Sequence, residues 1–528
     1  MDPAEATKGS PPQEEWRGKN LDADKILSFH GLFPKYQWLI SLYVLAVWGL
    51  WALVYLCSPF ITLVPHSFRC QTAGQAGNSS IPAFDGSCEV VGTSNRTVPC
   101  GTNGTSFVFD PSFGVTAVSE FELVCDWAAW GPHEASIFAL GSTVATVATF
   151  PLADQFGRRP LFFINSWVTA ISAFVQPLSP NYTIFLLARF VCGFGIFSVS
   201  LLGYVMVMET IPMGIRAITP AVACFFFAIV YVGLGVLAYI LPNWRHLLWV
   251  CAIPSVFWLV SWWLVPETLH HLIAHNREEE ALEMVRRIEE VNGRPIDLNQ
   301  CLKEEEEEKK EVPKRTLLDI LYSPLLLYYA AVWSFAKFTV NLIYTGLSLT
   351  ATSLSSDRYI GFILSALVEF PTSLAAAAAL HYLGRRNVQL AAFSICVVSL
   401  LGYVFVPLEL QTRWYFVALP LLAKAGSLLV YNAMDVFELE LLPTTLRGSI
   451  SGISMLFNGV GQILAPQVVF MGENAPLPSY TLFSAMAFFC VLLTLTLPET
   501  RNKEMPVDIP NCQRSRPIQW LCNLLGID

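Results

Sequence analysis

Twelve apolar runs of about 20 residues, separated by polar segments, decide what this chain can fold into. A helix of about 20 apolar residues has the length needed to cross the hydrocarbon layer of a membrane. Charged residues make up only 14% of the 528 residues, against roughly 25% in soluble chains. The sequence therefore predicts an all-α membrane protein with twelve transmembrane helices, within residues 38–57, 134–153, 161–178, 183–205, 220–241, 247–265, 325–347, 359–380, 388–406, 414–436, 450–470 and 480–497.

Positive charges in the short loops predict the orientation, because Lys and Arg concentrate on the cytoplasmic side. With the N-terminus inside, the inner short loops hold six Arg (158, 159, 216, 385, 386 and 447) and the outer ones hold three (245, 358 and 413). We therefore expect a multi-pass protein of the cell membrane with both termini cytoplasmic. Its expected segments are a cytoplasmic N-terminus (1–35), the first helix (36–58), an extracellular loop (59–133), helices two to six (134–265), a cytoplasmic linker (266–324), helices seven to twelve (325–498) and a cytoplasmic tail (499–528).

The long first loop has two marks of an oxidising exterior. It carries glycosylation sequons at Asn78, Asn95 and Asn103. It also carries four cysteines, which are Cys70, Cys88, Cys100 and Cys125. An even number of cysteines beside glycosylation acceptors predicts a glycosylated, disulfide-linked extracellular domain. Four cysteines allow three pairings, and all three remain open at this point.

The two halves of the chain repeat each other. The pattern E-x2-P-x3-R occurs at 209–216 and at 440–447, P-E-T at 266–268 and at 498–500, and G-R-R at 157–159 and at 384–386. The offsets between copies are nearly equal. The chain is therefore predicted to be two parallel six-helix halves, with a cavity at their interface near the membrane midplane and rocking of one half against the other.

The charged members of these motifs lie at the inner membrane edge. Arg can bridge carboxylates with two parallel hydrogen bonds, so ion pairs there can hold the two halves together in one state and release them in another. The alternative is that these charges only set the topology. The gating hypothesis covers Asp154, Arg158, Arg159, Glu209, Arg216, Arg385, Arg386, Glu440 and Arg447.

The motif L-A-D-Q-F-G-R-R at 152–159 resembles the signature between spans two and three of the major facilitator superfamily. Four further segments resemble its organic cation, anion and carnitine transporter branch, solute carrier family 22: L-V-C-D at 123–126, Y-x-G-L-S at 344–348, E-F-P at 369–371 and E-L-L-P-T-x2-R at 440–447. The resemblance extends over about residues 30–505. It implies the major facilitator fold and a carrier of small organic ions.

The chain also departs from this pattern at several positions. Phe150 stands where the signature usually has Gly, and His381 replaces the acidic residue of the second half. In span eleven, Gly459 occupies the position that is often Asp in cation carriers and Arg in anion carriers of the family. In span seven, Lys337 stands where the family has an aromatic residue, seven residues before Tyr344.

Ionisable groups inside a membrane are expensive, so each one is a functional hypothesis. Lys337, Glu369 and Lys424 lie mid-span in helices seven, eight and ten, and Asp435 and Glu438 lie lower in helix ten. A cavity with charges of both signs suits a zwitterion or an amphipathic ion. The alternative is that Lys337 and Glu369 merely satisfy each other.

The resemblance extends this set. It implies that Glu369 lines the substrate cavity and that Lys424 matches a basic position in span ten. It also implies cavity positions for Tyr204, Tyr344 and Asn432. Tyrosine offers a ring face for cations and a hydroxyl that orients the ligand.

The resulting prediction is a carrier of small organic ions, zwitterionic, anionic or cationic, that works by alternating access. No ATP-binding motif is present, so transport is expected to be facilitative or driven by an ion gradient. The expected partners are the organic ion, a coupling ion in the second case, and the lipid bilayer. No cofactor, metal or nucleic acid is expected, and the net charge of -9 argues against a basic nucleic-acid surface.

The alternative function is a non-transporting, receptor-like or scaffold member of the same family. An enzyme is not expected, because no span carries a metal cluster or a paired nucleophile and base. Gly459 removes a carboxylate and Lys337 adds a positive charge. These two positions favour a zwitterion or an organic anion over a simple monovalent cation.

Overall fold

The computed structural model describes residues 21–29, 31, 34–65, 68–72, 88–91, 97–100, 105–110, 114–212, 216, 219–259, 261–298, 301, 320, 322–407, 414–474, 479–501, 503 and 506. Each of the twelve apolar runs coincides with one or more helices over most of its described residues. Spans 1 to 6 are Lys35–Leu56, His133–Phe156, Arg158–Val175, Tyr182–Thr210, Thr219–Ile240 and the set Trp244–Ala252, Ser255–Leu259 and Ser261–Leu264. Spans 7 to 12 are Pro324–Leu349, the pair Arg358–Leu367 and Glu369–Leu383, Arg385–Val404, Trp414–Leu441, Arg447–Asn474 and Ser479–Thr496.

Ten helices among the described residues could cross a membrane by length and composition alone. Two of the predicted spans are outside this set. The 24-residue helix of span 2 carries the charged residues Glu134 and Asp154, and span 6 is divided into three short helices. Below, the loop side of the bundle is the side that carries residues 59–133, and the linker side is the side that carries residues 266–324.

The turns between spans 2 and 3 and between spans 8 and 9 have the same structure. Each contains a glycine in the left-handed region, Gly157 with φ +96° and Gly384 with φ +86°. A Cβ atom added to Gly157 would lie 2.6 Å from a carboxylate oxygen of Glu267, and one added to Gly384 would lie 3.0 Å from the carboxyl group of Glu499. Both the backbone angle and the close approach therefore require glycine.

The same two carboxylates explain the repeated P-E-T motif. Glu267 accepts hydrogen bonds from the backbone N–H groups of Arg158 and Arg159, each at 3.1 Å, at the start of span 3. Glu499 accepts from the first two N–H groups of span 9, at 3.0 and 3.2 Å. These N–H groups have no partner within their own helix and lie at its positive end. Each motif thus caps a helix from the far end of its own half, which accounts for the repeat in physical terms.

The two halves meet through spans 2 and 11 and through spans 5 and 8. Ser136, in the first turn of span 2, donates a hydrogen bond to the carbonyl of Ile463 at 2.8 Å. The ring of Phe60, just after span 1, lies 4.6 Å from that of Phe362 in span 8. These contacts lie toward the loop side, so the conformation is one in which the halves are closed together on that side.

The described part of the loop domain contains two small antiparallel sheets. Strand Phe68–Thr72 pairs with Thr105–Phe109, and strand Glu89–Val91 pairs with Thr97–Pro99. Disulfides join Cys70 to Cys100 and Cys88 to Cys125. The predicted disulfide-linked domain is confirmed, and one of the three open pairings is selected.

The sequons at Asn78, Asn95 and Asn103 lie outside the described residues. Their use stays a prediction, motivated by the disulfides of the same loop. Glycosidase treatment of cell-surface protein is expected to reduce its apparent mass on a gel. The triple variant Asn78→Gln, Asn95→Gln and Asn103→Gln should abolish that shift. A shift that persists in the triple variant would mean that other asparagines carry the glycans.

The N-terminal segment packs on the linker. Helix Ala23–Ser28 buries Ile26 and Leu27 in one apolar cluster with Ile288 of the linker helix Glu278–Asn292. Asp24 forms an ion pair with Arg216, which follows span 4, and lies 3.3 Å from His270 of the linker. The N-terminal helix and the described part of the linker are therefore attached to the first half.

Candidate substrate site between the two halves

Glu369 lies at a break in span 8. Pro371 has no N–H group to donate to the carbonyl of Leu367, so the first helix of the span ends at that residue. Glu369 begins the second helix and is buried, with 5% of its side chain exposed. Its carboxylate accepts a hydrogen bond from the Tyr344 hydroxyl at 2.8 Å and lies 3.2 Å from Nζ of Lys424.

Lys424 of span 10 is buried as deeply and has every ammonium proton engaged. Besides Glu369, Nζ donates to Ser365 Oγ at 2.7 Å and to the Tyr231 hydroxyl at 3.0 Å. It also lies 4.5 Å from the centre of the Tyr231 ring and 5.2 Å from that of Tyr344. Tyr231 belongs to span 5, so this ion pair, here called the central pair, is joined to the opposite half of the protein.

A second charged group lies nearer the linker side and is here called the lower cluster. Nζ of Lys337 lies 2.5 Å from Glu438 and 3.2 Å from Asp435, both on span 10. Glu438 also accepts a hydrogen bond from Ser454 of span 11 at 2.7 Å. The side chains of Lys337 and Glu438 are 4% and 2% exposed, whereas that of Asp435 is 48% exposed.

The suggested pairing of Lys337 with Glu369 is wrong. Each has a different partner, because Lys337 lies two helical turns before Tyr344 on span 7 whereas Glu369 lies beside Tyr344 itself. Two turns correspond to about 10 Å along the axis. The positive charge that Lys337 adds to this region is compensated, since the carboxylates of Asp435 and Glu438 lie beside it. With every group charged, the two lysines and three carboxylates of the central pair and the lower cluster sum to -1.

The remaining predicted cavity residues lie around these charges. Tyr204 of span 4 is near enough to Asp435 for its hydroxyl to interact with that carboxylate electrostatically, so the two halves face each other here. Asn432 is half-buried, and its amide group donates to the backbone carbonyl of Leu428 at 2.8 Å. Tyr55 of span 1, which the sequence did not single out, has its hydroxyl 3.4 Å from Thr345 of span 7.

Two other residues that contact the central pair, Tyr231 and Ser365, were also not predicted from the sequence. Neither is ionised and neither belongs to a recognisable motif. The feature that could have identified them is their position, because each lies on a span that packs against the opposite half, Tyr231 on span 5 and Ser365 on span 8. A tyrosine and a serine on such faces are the polar groups that can bond a buried ammonium.

Gly459 lies where span 11 packs directly against span 2. A Cβ atom added there would lie 2.3 Å from Oγ1 and 2.6 Å from Cγ2 of Thr143. The missing side chain therefore permits the contact between the halves in this conformation. Ser454, on a different face of span 11, contacts Glu438 of span 10 nearer the linker side.

A cavity of about 790 Å³ lies between spans 7 and 11, but its lining is apolar. It includes Phe335, Phe338 and Phe457, and none of the charged groups above. It has no group that would recognise an ion, so the candidate site rests on the central pair and the lower cluster instead.

The charged motifs at the linker side form matching ion pairs in the two halves. Arg158 lies 3.1 Å from Glu209 and 3.7 Å from Asp154, and Arg385 lies 2.7 Å from Glu440. Each of these pairs lies within one half. The expectation that they join the two halves is therefore not met in this conformation, and a gating role stays a hypothesis.

The other arginines of these motifs bind backbone carbonyls. Arg159 and Arg386 donate to Trp262 and Leu495 at 2.7 and 2.6 Å, near the ends of spans 6 and 12. Arg216 and Arg447 donate to Ile211 and Leu442 at 3.1 and 3.3 Å. A guanidinium at the C-terminal end of a helix satisfies carbonyls that have no other partner. These four residues act as matching anchors of each half.

His271 extends the first of these networks. This linker residue contacts Arg158 through Nδ1. Burial, helped by the neighbouring His275, Arg158 and Arg277, lowers the pKa of His271, although Glu267 opposes the shift. The ring is therefore neutral at pH 7 and accepts a hydrogen bond from the guanidinium.

Comparison with known proteins decides the family. The sequence profile of the Major Facilitator Superfamily matches residues 115–466. The chain belongs to this superfamily. Its similar relatives place it in the organic cation, anion and carnitine transporter branch, solute carrier family 22. Organic anion transporter 3 of Homo sapiens is 30% identical over 403 residues, which cover 75% of this chain and 74% of that one.

Two further relatives support the same branch. The organic cation transporter protein of Drosophila melanogaster is 28% identical over 79% of this chain and 78% of its own length. The organic cation/carnitine transporter 2 of Homo sapiens is 28% identical over 85% of this chain and 81% of its own length. These relatives are transporters of organic ions, and the superfamily consists of transporters rather than enzymes.

The fold matches solved structures of this superfamily. The partially occluded inward-open xylose transporter XylE from E. coli superposes with a TM-score of 0.60, at 15% identity, over 89% of this chain and all of that one. The inward-open form of the same transporter gives 0.59 at 14% identity, over 88% and 97% of the two chains. The predicted all-α major facilitator fold, with its disulfide-linked loop, is confirmed.

Proposed function

We propose that the protein is a plasma-membrane carrier of small organic ions that works by alternating access. The observation that carries this proposal is the central pair, a buried Glu369–Lys424 ion pair that also reaches Tyr231 of the other half. A buried charge that loses its partner is strongly destabilising. The pair is therefore closed when no ligand is bound, and either member can be replaced only by a ligand group of the same charge.

Such an exchange couples binding to movement. An anionic group that takes Lys424 from Glu369, or an ammonium group that takes Glu369 from Lys424, also disturbs the bond between Lys424 and Tyr231. That bond is one of the links between the two halves. A ligand with a differential affinity for the two arrangements shifts their populations. In the conformation described, the halves are closed on the loop side, so the exchange takes place with ligand on the linker side.

The proposal includes the predicted topology. Both termini and the linker are cytoplasmic, and the disulfide-linked loop is extracellular and glycosylated. A coupling ion is part of the proposal where uptake is concentrative. The net charge of -1 over the two charged groups leaves room for a positive ligand or coupling ion, and the motif residues at the linker side are proposed to act in gating.

Uptake by proteoliposomes tests the proposal with three ions built on one scaffold: phenethyltrimethylammonium, 3-phenylpropionate and phenylalanine. At least one is expected to enter saturably. Glu369→Gln is expected to lower that uptake by more than tenfold, because the neutral amide can neither hold an ammonium group nor balance Lys424.

Glu290→Gln provides the matched control, since it removes a carboxylate from an exposed position on the linker helix. It should leave uptake unchanged. Folded protein that takes up none of the three ions, nor any other organic ion of a wider screen, would contradict the proposal. That outcome would support the receptor-like alternative instead.

A further inference from the structure

The lower cluster has one carboxylate more than it needs. Glu438 alone neutralises Lys337 at 2.5 Å and is held in place by Ser454. Asp435 is the more distant partner, at 3.2 Å, and nearly half of its side chain is exposed. A carboxylate that is buried on one side and solvent-exposed on the other can exchange one cationic partner for another while the neighbouring side chains keep their positions.

The charge of the cluster points to the sign of the missing partner. One lysine and two carboxylates sum to -1, in a membrane-spanning part of the protein where an uncompensated charge is expensive. The central pair is neutral and has no charge to spare. A single positive group at Asp435 completes the compensation.

The surroundings of Asp435 suit an organic ammonium group. Tyr431 lies one helical turn before Asp435 on span 10, so the two side chains share one face of the helix, and Tyr204 of span 4 approaches the same region from the other half. A carboxylate beside aromatic rings combines a charge-assisted contact with cation–π attraction. A bare inorganic cation would use the carboxylate but gain less from the rings.

We propose that the lower cluster is a second ligand subsite, which binds the ammonium group of an organic cation or zwitterion through Asp435. Lys337 is then a tethered competitor: it shares Asp435 in the empty protein and withdraws to Glu438 when ligand binds. The subsite lies about 10 Å from the central pair along span 7, measured from Lys337 to Tyr344. A small ligand reaches only one of the two at a time, so the lower cluster is an entry subsite on the linker side. This inference rests on the proposed function, and its test separates the two.

The test is binding of phenethyltrimethylammonium to purified full-length protein, measured by titration calorimetry at constant ionic strength. Asp435→Asn is expected to weaken binding by at least about tenfold, the usual effect of losing one contact to a charged group. The variant retains the neutral Lys337–Glu438 pair and should fold. Asp435→Glu should retain affinity within about threefold. Glu290→Gln, with the same loss of charge on the exposed linker helix, should bind like wild type.

A second variant tests the competitor role directly. Lys337→Gln together with Glu438→Gln removes the tethered charge and its buried partner, so this double variant should bind the cation several-fold more tightly than wild type, and Asp435→Asn in that background should cancel the gain. Binding of 3-phenylpropionate should not weaken in Asp435→Asn. Equal cation affinity in wild type and Asp435→Asn would overturn the subsite.

The two failures differ in what is measured. Cation binding that depends on Asp435, in a protein that transports no organic ion, would reject the proposed carrier function and leave the subsite standing. Saturable transport with cation binding that ignores Asp435 would reject the subsite and leave the carrier function standing. Protein that does not bind the cation counts against the subsite, and only protein that transports no organic ion at all counts against the carrier function.

Discussion

Lys424→Met is expected to destabilise the protein by about 3–5 kcal/mol and to abolish uptake. The substitution leaves the Glu369 carboxylate buried, with the Tyr344 hydroxyl at 2.8 Å as its remaining polar contact from the central pair. It also removes the ammonium that reaches Tyr231 of the other half. The stability loss should appear as a lower thermal midpoint of detergent-solubilised protein, and the functional loss as absent uptake by proteoliposomes.

The double variant Glu369→Met, Lys424→Met separates the two effects. Removing both charges leaves no unpaired carboxylate, so most of the lost stability should return. Uptake should stay absent, because the central pair no longer has a charged group to exchange with the ligand. Lys35→Met is the matched control, since it removes a lysine from an exposed position at the start of span 1. A double variant as unstable as Lys424→Met alone would show that the two residues are not coupled.

The fold could be predicted from the sequence because its signals are local or repeated. Span length follows from runs of apolar residues, and the two-half architecture follows from motifs at nearly equal offsets. The structure adds the reason for one of these motifs: the carboxylates of Glu267 and Glu499 cap the helices that begin after Gly157 and Gly384. The repeat can be recognised from the sequence without knowledge of the capping, because the capping glutamate and the glycine of the capped turn both recur in the second half.

The charged site could be predicted only in part, for a different physical reason. A charge inside a span is recognisable from one residue, so Lys337, Glu369 and Lys424 were found. Their partners depend on how the spans are rotated and at what depth the charges meet. Lys337 pairs with Asp435 and Glu438 rather than with Glu369 because it lies two turns closer to the linker side. Hydropathy fixes a span to within a few residues, which is too coarse to decide such pairings.

The gating motifs show a similar limit. Their recurrence predicted that they lie in matching places, and the ion pairs Arg158–Glu209 and Arg385–Glu440 do so. Recurrence does not tell whether a pair lies within a half or between the halves. An arginine and a glutamate that recur in both halves can pair within each half or across the halves, and the repeat looks the same in either case. The distinction requires the three-dimensional arrangement.

Gly459→Asp is expected to open the contact between spans 2 and 11, although Asp is a residue that many cation carriers of the family have there. The new Cβ would lie 2.3 Å from Oγ1 of Thr143, with Cγ2 and Cβ of the same threonine at 2.6 and 2.9 Å. Contacts this short force a shift, and overpacking of this kind costs about 1–3 kcal/mol. That free energy corresponds to a change of about 5-fold to about 150-fold in the balance between conformations closed and open on the loop side.

The shift can be measured with a cysteine at the closed surface. Ser136, whose hydroxyl donates to Ile463 across the halves, is 8% exposed, so Ser136→Cys should react slowly with a membrane-impermeant maleimide in detergent. Adding Gly459→Asp should raise the labelling rate roughly tenfold, in step with the shift in balance. Gly452→Asp makes the same change on the same helix where a new Cβ meets no other atom within 4 Å, and it should leave the rate unchanged. Equal labelling of the Gly459 and Gly452 variants would mean that span 11 accommodates the side chain without opening. The missing side chain at Gly459 would then have no part in how the two halves close.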